Sequence, residues 1–486
     1  MSKVCAIVLN TISRDARVLK EAESLQLAGH DVTLLGLTDC TNTTKIEKLT
    51  NGVNLRRLDM AAMKKAASLF VHALVTTCLL VPVAALYFVP ANYVLGPIIL
   101  ATTIITSALI VNQIGRARRL IKIALDFGEC PDDNLNKNIT LKSFLSFTKY
   151  LSNGIANKLS GVGRILALYW IVRRLRPDVL HCHDIHTLPI GILAKWTLPY
   201  FVVYDAHEIY EEVAQGTSSR ARSFRRIHSI GQRYVDAFIT INDSIAAWYA
   251  GHYPALPKAV VIKNATKFAG SVEYDGRLHV AAGLSPQRKI LLYQGGFSTK
   301  RGLEYLIESA RYLNPDWALV MMGWGSFEPR LREIARYINQ YHTDQGNPEI
   351  VVFIPPAPQN DLALWTAGGT VGIIPYEKVG LNHWFCTPNK LWEYPNAGLP
   401  MLVSPFPELS RPVLEHGHGW LLPEDQEPRK LAELINSLGH EQIQTAKNCC
   451  ENFMKADSWD IYSERLVSLY EELLRSDQHE LAKFPV

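Results

Sequence analysis

Histidines set beside carboxylates, and glycines set beside lysine and arginine, mark the places where this chain could do chemistry. His181-Cys-His-Asp-Ile-His186 closes a strand-like run at residues 178–182. Side chains two apart on a strand share a face, so His181 and His183 could ligate a metal together. No carboxylate or cysteine set in the sequence completes such a site, and no metal is expected. His183 and Asp184 instead suit contact with a substrate hydroxyl. Asp205-Ala-His-Glu208 ends the next strand-like run and puts His207 and Glu208 in the same kind of position. Each histidine equally suits a place satisfied within the core.

The second set lies further along. Tyr293-Gln-Gly-Gly-Phe-Ser-Thr-Lys-Arg-Gly302 follows a strand-like run and leads into a helical stretch. Gly295 and Gly296 let a ligand approach the backbone, and Lys300 and Arg301 stand where an anion could be held. Gly323-Trp-Gly325 repeats the arrangement more weakly. Thr387-Pro-Asn-Lys-Leu-Trp-Glu-Tyr394 reads as a helix start, with Pro388 at the first helical position. The amides around Asn389, Lys390 and Leu391 would then be open to a phosphate. Glu393 falls one turn further in, where a carboxylate can accept bonds from a ribose diol. A solvated helix would use the same letters.

These loops need strands to carry them. Strand-like runs at 4–9, 32–37, 178–182, 200–204 and 237–241 form one set, and runs at 289–293, 317–322, 349–354, 370–374 and 399–403 a second. Helical spacing at 15–28, 303–312 and 329–338 falls between them, the pattern of parallel sheets with crossover helices. In such sheets ligands bind outside the carboxyl ends of the strands, where the marked residues stand. The expected fold class is α/β, as two Rossmann-like domains. The first covers residues 1–265 and the second 266–455. A C-terminal helix in 456–486, centred on 460–474, packs back on the first domain. Glycine, proline and charged residues collect at the junction, residues 264–286.

One segment breaks the pattern. Residues 69–111 hold two apolar blocks, 69–89 and 94–111, divided by Pro90-Ala91-Asn92-Tyr93. Each is close to the ~20 residues that span a bilayer as a helix. Lys64 and Lys65 precede them, and Arg116, Arg118, Arg119 and Lys122 follow, which places both flanks in the cytoplasm. The expectation is a transmembrane or re-entrant hairpin inserted at about 66–125, then a polar region at about 126–157. A pair of buried core helices is the alternative. The net charge of +4 over 486 residues carries no nucleic-acid signature. The 8 cysteines are scattered without a CxxC pair, which suits a reducing compartment. The chain runs from Met1 straight into a strand-like segment, so no signal peptide is expected.

Taken in order, these motifs resemble the family 4 glycosyltransferases. The pieces are Asp15-Ala-Arg17-Val-Leu-Lys20-Glu21-Ala with Leu27-Ala-Gly-His-Asp-Val-Thr-Leu, then His183-Asp184, Tyr204-Asp-Ala-His207-Glu208 and Ala237-Phe-Ile-Thr-Ile-Asn-Asp-Ser244. The second half adds the loop from Gly295 to Gly302, Gly323-Trp-Gly325, Ile374-Pro-Tyr376, Asn389-Lys-Leu-Trp-Glu-Tyr and Ala397-Gly-Leu-Pro. The resemblance implies a GT-B fold of two facing Rossmann-like domains. It also implies sugar transfer from a nucleotide-sugar donor to an acceptor hydroxyl, with retention and no metal or other cofactor. Arg301, Lys390 and the amides near Asn389 would hold the diphosphate and Glu393 the ribose. The loop at 11–17, His183 and His207 would meet the acceptor.

Three departures stand out. Phe385 occupies the place of a glutamate that binds the sugar in many relatives, which leaves Asn382, His383 or backbone to substitute. Gly296 replaces a phosphate-binding arginine, and Pro395 should kink or shorten its helix. With the hairpin, the reading is a membrane-anchored transferase with its catalytic domains on the cytoplasmic face and a lipid-linked or glycan acceptor. A sugar-nucleotide 2-epimerase of the same fold and a non-catalytic scaffold are the rival readings.

Overall fold

The computed structural model describes residues 1–13, 15–39, 42–63, 65, 161–213, 218–270 and 272–481. The expected hairpin at 69–111, the basic flank at 116–122 and the polar region at 126–157 lie outside the described residues. Among the described residues no helix is long and apolar enough to cross a membrane.

The expected α/β pattern is what the chain forms. One sheet holds β1 (Lys3–Ile7), β2 (Asp31–Leu37), β3 (Ile46–Lys48), β4 (Asn54–Leu58), β5 (Val179–His183), β6 (Phe201–Ala206), β7 (Ala237–Thr240) and β8 (Ala259–Val261). Its order is β3-β4-β2-β1-β5-β6-β7-β8. β1 pairs in parallel with β2 on one side and β5 on the other, so the winding reverses at β1. Helix Ala16–Leu27 follows β1, and its N-cap Asp15 accepts the Val18 amide at 3.3 Å. That cap sets Arg17 and Glu21 one turn apart on the buried side of the helix.

The second sheet holds β9 (Lys289–Gly296), β10 (Trp317–Trp324), β11 (Val351–Ile354), β12 (Val371–Ile374), β13 (Met401–Val403) and β14 (Gly419–Leu421), in the order β11-β10-β9-β12-β13-β14. Its recorded pairs are all parallel. Leu291, Leu319, Met321, Val371 and Ile373 of the central strands are buried with Leu306, Leu331 and Leu431 of the covering helices. A strand buried on both faces is apolar throughout, which is why these runs stand out in the sequence.

Contacts divide the chain into two compact units, residues 1–205 with 227–238, and 206–226 with 239–486. In the second, Asp457 gathers the Lys263 ammonium at 3.1 Å, the Trp392 indole N–H at 3.3 Å and the Tyr462 hydroxyl. Those bonds tie the start of helix Trp459–Leu481 to the body of the unit.

Candidate active site

In the second unit, β9 lies between β10 and β12, and the winding direction changes at β9. The crevice beyond the carboxyl ends of β9 and β12 is where such a sheet takes its ligand. Two cations converge there. Arg301 Nη1 donates to the Tyr376 hydroxyl at 2.9 Å, and Lys390 Nζ approaches the same oxygen at 3.3 Å. Neither forms a salt bridge with a described residue. Lys390 is only 6% exposed, and burial holds its pKa below the ordinary lysine value; Arg301 adds to that, against the opposite pull of the Tyr293 phenol and the Glu393 carboxylate. Burial also pushes the Tyr376 phenol and the Cys386 thiol up to about 12, so both stay neutral and neither balances the cations. Glu393 acts on Lys390 from beyond salt-bridge distance, and two positive charges kept together without a salt-bridged carboxylate form a receptor for an anion.

The glycines around this point have distinct reasons. Gly295 has φ 121°, and a Cβ there would stand 3.3 Å from Lys390 Nζ, crowding the ammonium. A Cβ on Gly323 or Gly325 would collide with the backbone oxygen of Gly295 or Phe297, so these two let β10 lie against the chain leaving β9. Gly296 continues the β9–β10 pairing opposite Trp324. Lys300 takes φ 67°, a left-handed conformation that costs a non-glycine residue about 1 kcal/mol and that concentrates at functional loops.

Helix Lys390–Asn396 begins two residues later than its sequence suggests. Asn389 is the N-cap, so Pro388 precedes the cap instead of occupying the first turn. The Leu391 amide returns to the Pro388 carbonyl at 2.9 Å, and the Leu391 side chain is 1% exposed. The Asn389 side chain accepts from Asn264 Nδ2 at 2.8 Å. With Pro395 inside it the helix runs only seven residues, so its dipole is small and the side-chain cations carry the charge. Glu393, in the first turn, takes a hydrogen bond from Gln294 Nε2 at 2.9 Å.

Asn382 does not stand free to replace the missing sugar-binding glutamate. Its Oδ1 accepts the Ile209 amide at 2.8 Å and its Nδ2 donates to the Ile209 carbonyl at 2.9 Å, so both ends of the amide are committed. His383 differs: burial lowers its pKa, and its buried Nδ1 has no hydrogen-bond partner.

The histidine cluster lies in the first unit and is internal. His183 is 1% exposed, its Nδ1 stands 3.2 Å from Asp205 Oδ2, and its ring stacks on His181 with centroids 4.1 Å apart. The carboxylates that the local sequence lacks do converge here, from elsewhere in the chain. Glu21, His181, His183 and Asp205 place one donor atom each within 4.8 Å of one another. Arg17 lies between the acids, with Nε and Nη2 each 3.0 Å from an Asp205 oxygen and Nε 3.0 Å from Glu21. The guanidinium bridges both acids and offsets one of their two charges, so the cluster is a buried ion-pair network with the histidines beside the remaining charge. Asp184, next in line, takes φ 65° and donates its amide to the Asp205 carbonyl at 3.0 Å. His207 and Glu208 fall in the second unit and are partly exposed. The His207 amide donates to the Tyr210 hydroxyl at 3.3 Å, and the Glu208 carbonyl accepts the Tyr249 hydroxyl at 2.9 Å.

Comparison with known proteins bears on the fold and the enzyme class. Residues 141–267 match the family model described as Glycosyltransferase Family 4, and residues 288–441 match Glycosyl transferases group 1. No curated protein matches the chain. Among solved structures, sucrose-phosphate synthase from Thermosynechococcus elongatus is similar at 14% identity, with a TM-score of 0.63 over 98% of this chain and 100% of that one. Anabaena HepE in complex with UDP gives 12% identity and 0.59, over 97% and 100%. The trehalose 6-phosphate synthase of Burkholderia multivorans gives 12% and 0.58, over 99% and 100%. The fold is therefore GT-B, the two halves carry glycosyltransferase domains, and the chain is an enzyme of that class.

Proposed function

We propose that the enzyme moves a sugar from a nucleoside-diphosphate sugar to a lipid-linked or glycan acceptor at a membrane, with retention at the anomeric carbon. One observation carries the donor half of this reading: Arg301 and Lys390 meet at the Tyr376 hydroxyl with no salt bridge to a described carboxylate, one helical turn from Glu393. A diphosphate supplies the missing charge, and Glu393 accepts from the ribose. The similar Anabaena HepE has been solved with UDP and with UDP-glucose, which supports a nucleotide-sugar donor here.

In the reaction the bond from the anomeric carbon to the diphosphate oxygen breaks and a bond to the acceptor oxygen forms. The hydroxyl proton passes to the leaving phosphate. Arg301 and Lys390 stabilise charge as it gathers on that phosphate, the part a metal plays in other transferases, so chelators should leave activity unchanged. His383 is the side chain best suited to the sugar hydroxyls, since Asn382 is committed to Ile209. The family resemblance assigns acceptor contacts to the loop at 11–17, Asp184, His207 and Glu208, and to His183, which is 1% exposed. The membrane part of the reading rests on the apolar sequence 69–111 and the basic residues after it, which suit a hairpin anchored from the cytoplasmic side.

The test is to incubate detergent-purified protein, with and without EDTA, with UDP-, GDP-, TDP- and ADP-sugars and membrane lipid extract, and to follow sugar into the lipid phase. Incorporation from one donor, lost in Arg301→Ala and Glu393→Ala, identifies a lipid-directed transferase, and the anomeric configuration of the product decides retention. Nucleotide binding without incorporation moves the reading to a soluble acceptor or an epimerase.

A further inference from the structure

We infer that Gln294 is a positioning residue that fixes the Glu393 carboxylate and so makes the donor site select ribonucleotides over 2′-deoxyribonucleotides. The inference deepens the donor-site reading and rests on it.

Gln294 sits near the end of β9 and is 3% exposed, an unusual place for a primary amide unless both of its ends are used. Both are. Nε2 donates to Glu393 Oε2 at 2.9 Å, and Oε1 accepts from Thr366 Oγ1 at 2.7 Å. The direction of the chain follows from chemistry. An ionised carboxylate only accepts, so the NH2 end must face Glu393 and the carbonyl must face Thr366. Thr366, with no exposure, has one proton and two acceptors in reach, Gln294 Oε1 and the Leu362 carbonyl at 2.8 Å. The orientation demanded by Glu393 sends that proton to Gln294. Pairing of Gln294 with Met322 across the sheet holds its backbone.

A glutamate in the first turn of a short helix is otherwise free to rotate. With one oxygen tied to Gln294, the partly exposed Glu393 carboxylate is pinned before any ligand arrives. Two vicinal hydroxyls need two acceptor positions at a fixed spacing, whereas a single hydroxyl is content with either. Pinning therefore favours the diol and adds little for a 2′-deoxy sugar. Gln294→Met keeps the length and removes the amide, and Thr366 can then turn its proton to Leu362, so no buried donor is orphaned.

The full chain is titrated calorimetrically with UDP, GDP and ADP and with their 2′-deoxy counterparts. Wild type should prefer the ribonucleotide of the pair it binds. Gln294→Met should weaken the ribonucleotide about tenfold and leave the 2′-deoxy form within about threefold, and KM for the donor should rise more than kcat falls. Thr366→Val should shift the preference in the same direction by less, and Thr366→Ser should restore it. Should Gln294→Met not fold, the Thr366 pair decides the matter. Equal weakening of both nucleotides, or an unchanged preference, overturns the role of Gln294 and leaves the donor site standing. A wild type that binds one nucleotide without preferring its ribo form does the same. Wild type that binds none of them overturns the donor-site reading and this inference with it.

Discussion

Lys390 separates the needs of the fold from those of the ligand. It is 6% exposed, donates among the described residues only to the Tyr376 hydroxyl, and lies 5.1 Å from the centroid of the Tyr293 ring. Burial lowers its pKa, so in the absence of an anion the charge works against folding. The sign is definite. The unfolded chain binds this proton more tightly, so stability rises with pH between the lowered value and the ordinary 10.5. Lys390→Met keeps the shape and removes the charge, and the free protein should melt no lower than wild type. The same change removes one charge-assisted hydrogen bond to a diphosphate, worth about 1.5–3 kcal/mol. Nucleotide Kd should therefore rise about 10- to 150-fold. Thermal melts with and without nucleotide, together with calorimetric Kd, measure both halves. A variant that melts well below wild type yet binds nucleotide unchanged would refute the reasoning, because Lys390 would then be serving the fold.

Three further outcomes follow from groups held inside the fold. Arg17→Met leaves Glu21 and Asp205 buried without their cation and should cost about 3–5 kcal/mol in denaturant unfolding, less at acid pH where the carboxyls protonate. His418 is fully buried against Phe453, with neither ring nitrogen hydrogen-bonded, and burial pulls its pKa down to about 3 from 6.5. The unfolded chain protonates first, so stability is intact above about pH 6.5 and falls as pH drops toward 3; the loss between pH 7 and 5 is ~2 kcal/mol, and His418→Leu should abolish it in urea melts at the two pH values. Asn382→Ala should leave nucleotide Kd within about threefold while speeding proteolysis around residue 209, since its amide serves that backbone.

Much of the scaffold was legible because parallel strands buried on both faces are apolar along their length. β1, β5, β9, β10 and β12 announce themselves in that way, and the loops at their carboxyl ends mark Asp184, Gly295 and Arg301 in advance. β4 did not, because Arg57 in the middle of Asn54–Leu58 is only 1% exposed, held by the Thr11 and Thr44 carbonyls and by Glu47. A buried, fully bonded arginine looks in sequence like a surface residue. The hairpin expected at 69–111 lies outside the described residues and rests on composition alone.

The candidate site divides along the same line. Sequence by itself determined which residues stand at strand ends and helix starts, since periodicity and turn chemistry are local properties; Arg301, Lys390 and Glu393 were found that way. Only the tertiary structure decided what those residues touch. It set Arg301 and Lys390 on one phenol oxygen, drew Gln294 and Thr366 into line behind Glu393, took Asn382 away to Ile209, and brought Glu21 and Asp205 to the histidines around Arg17. Each of those pairings joins different elements of a sheet layer. The register of strands and the packing of helices fix them, and no spacing along the chain records either.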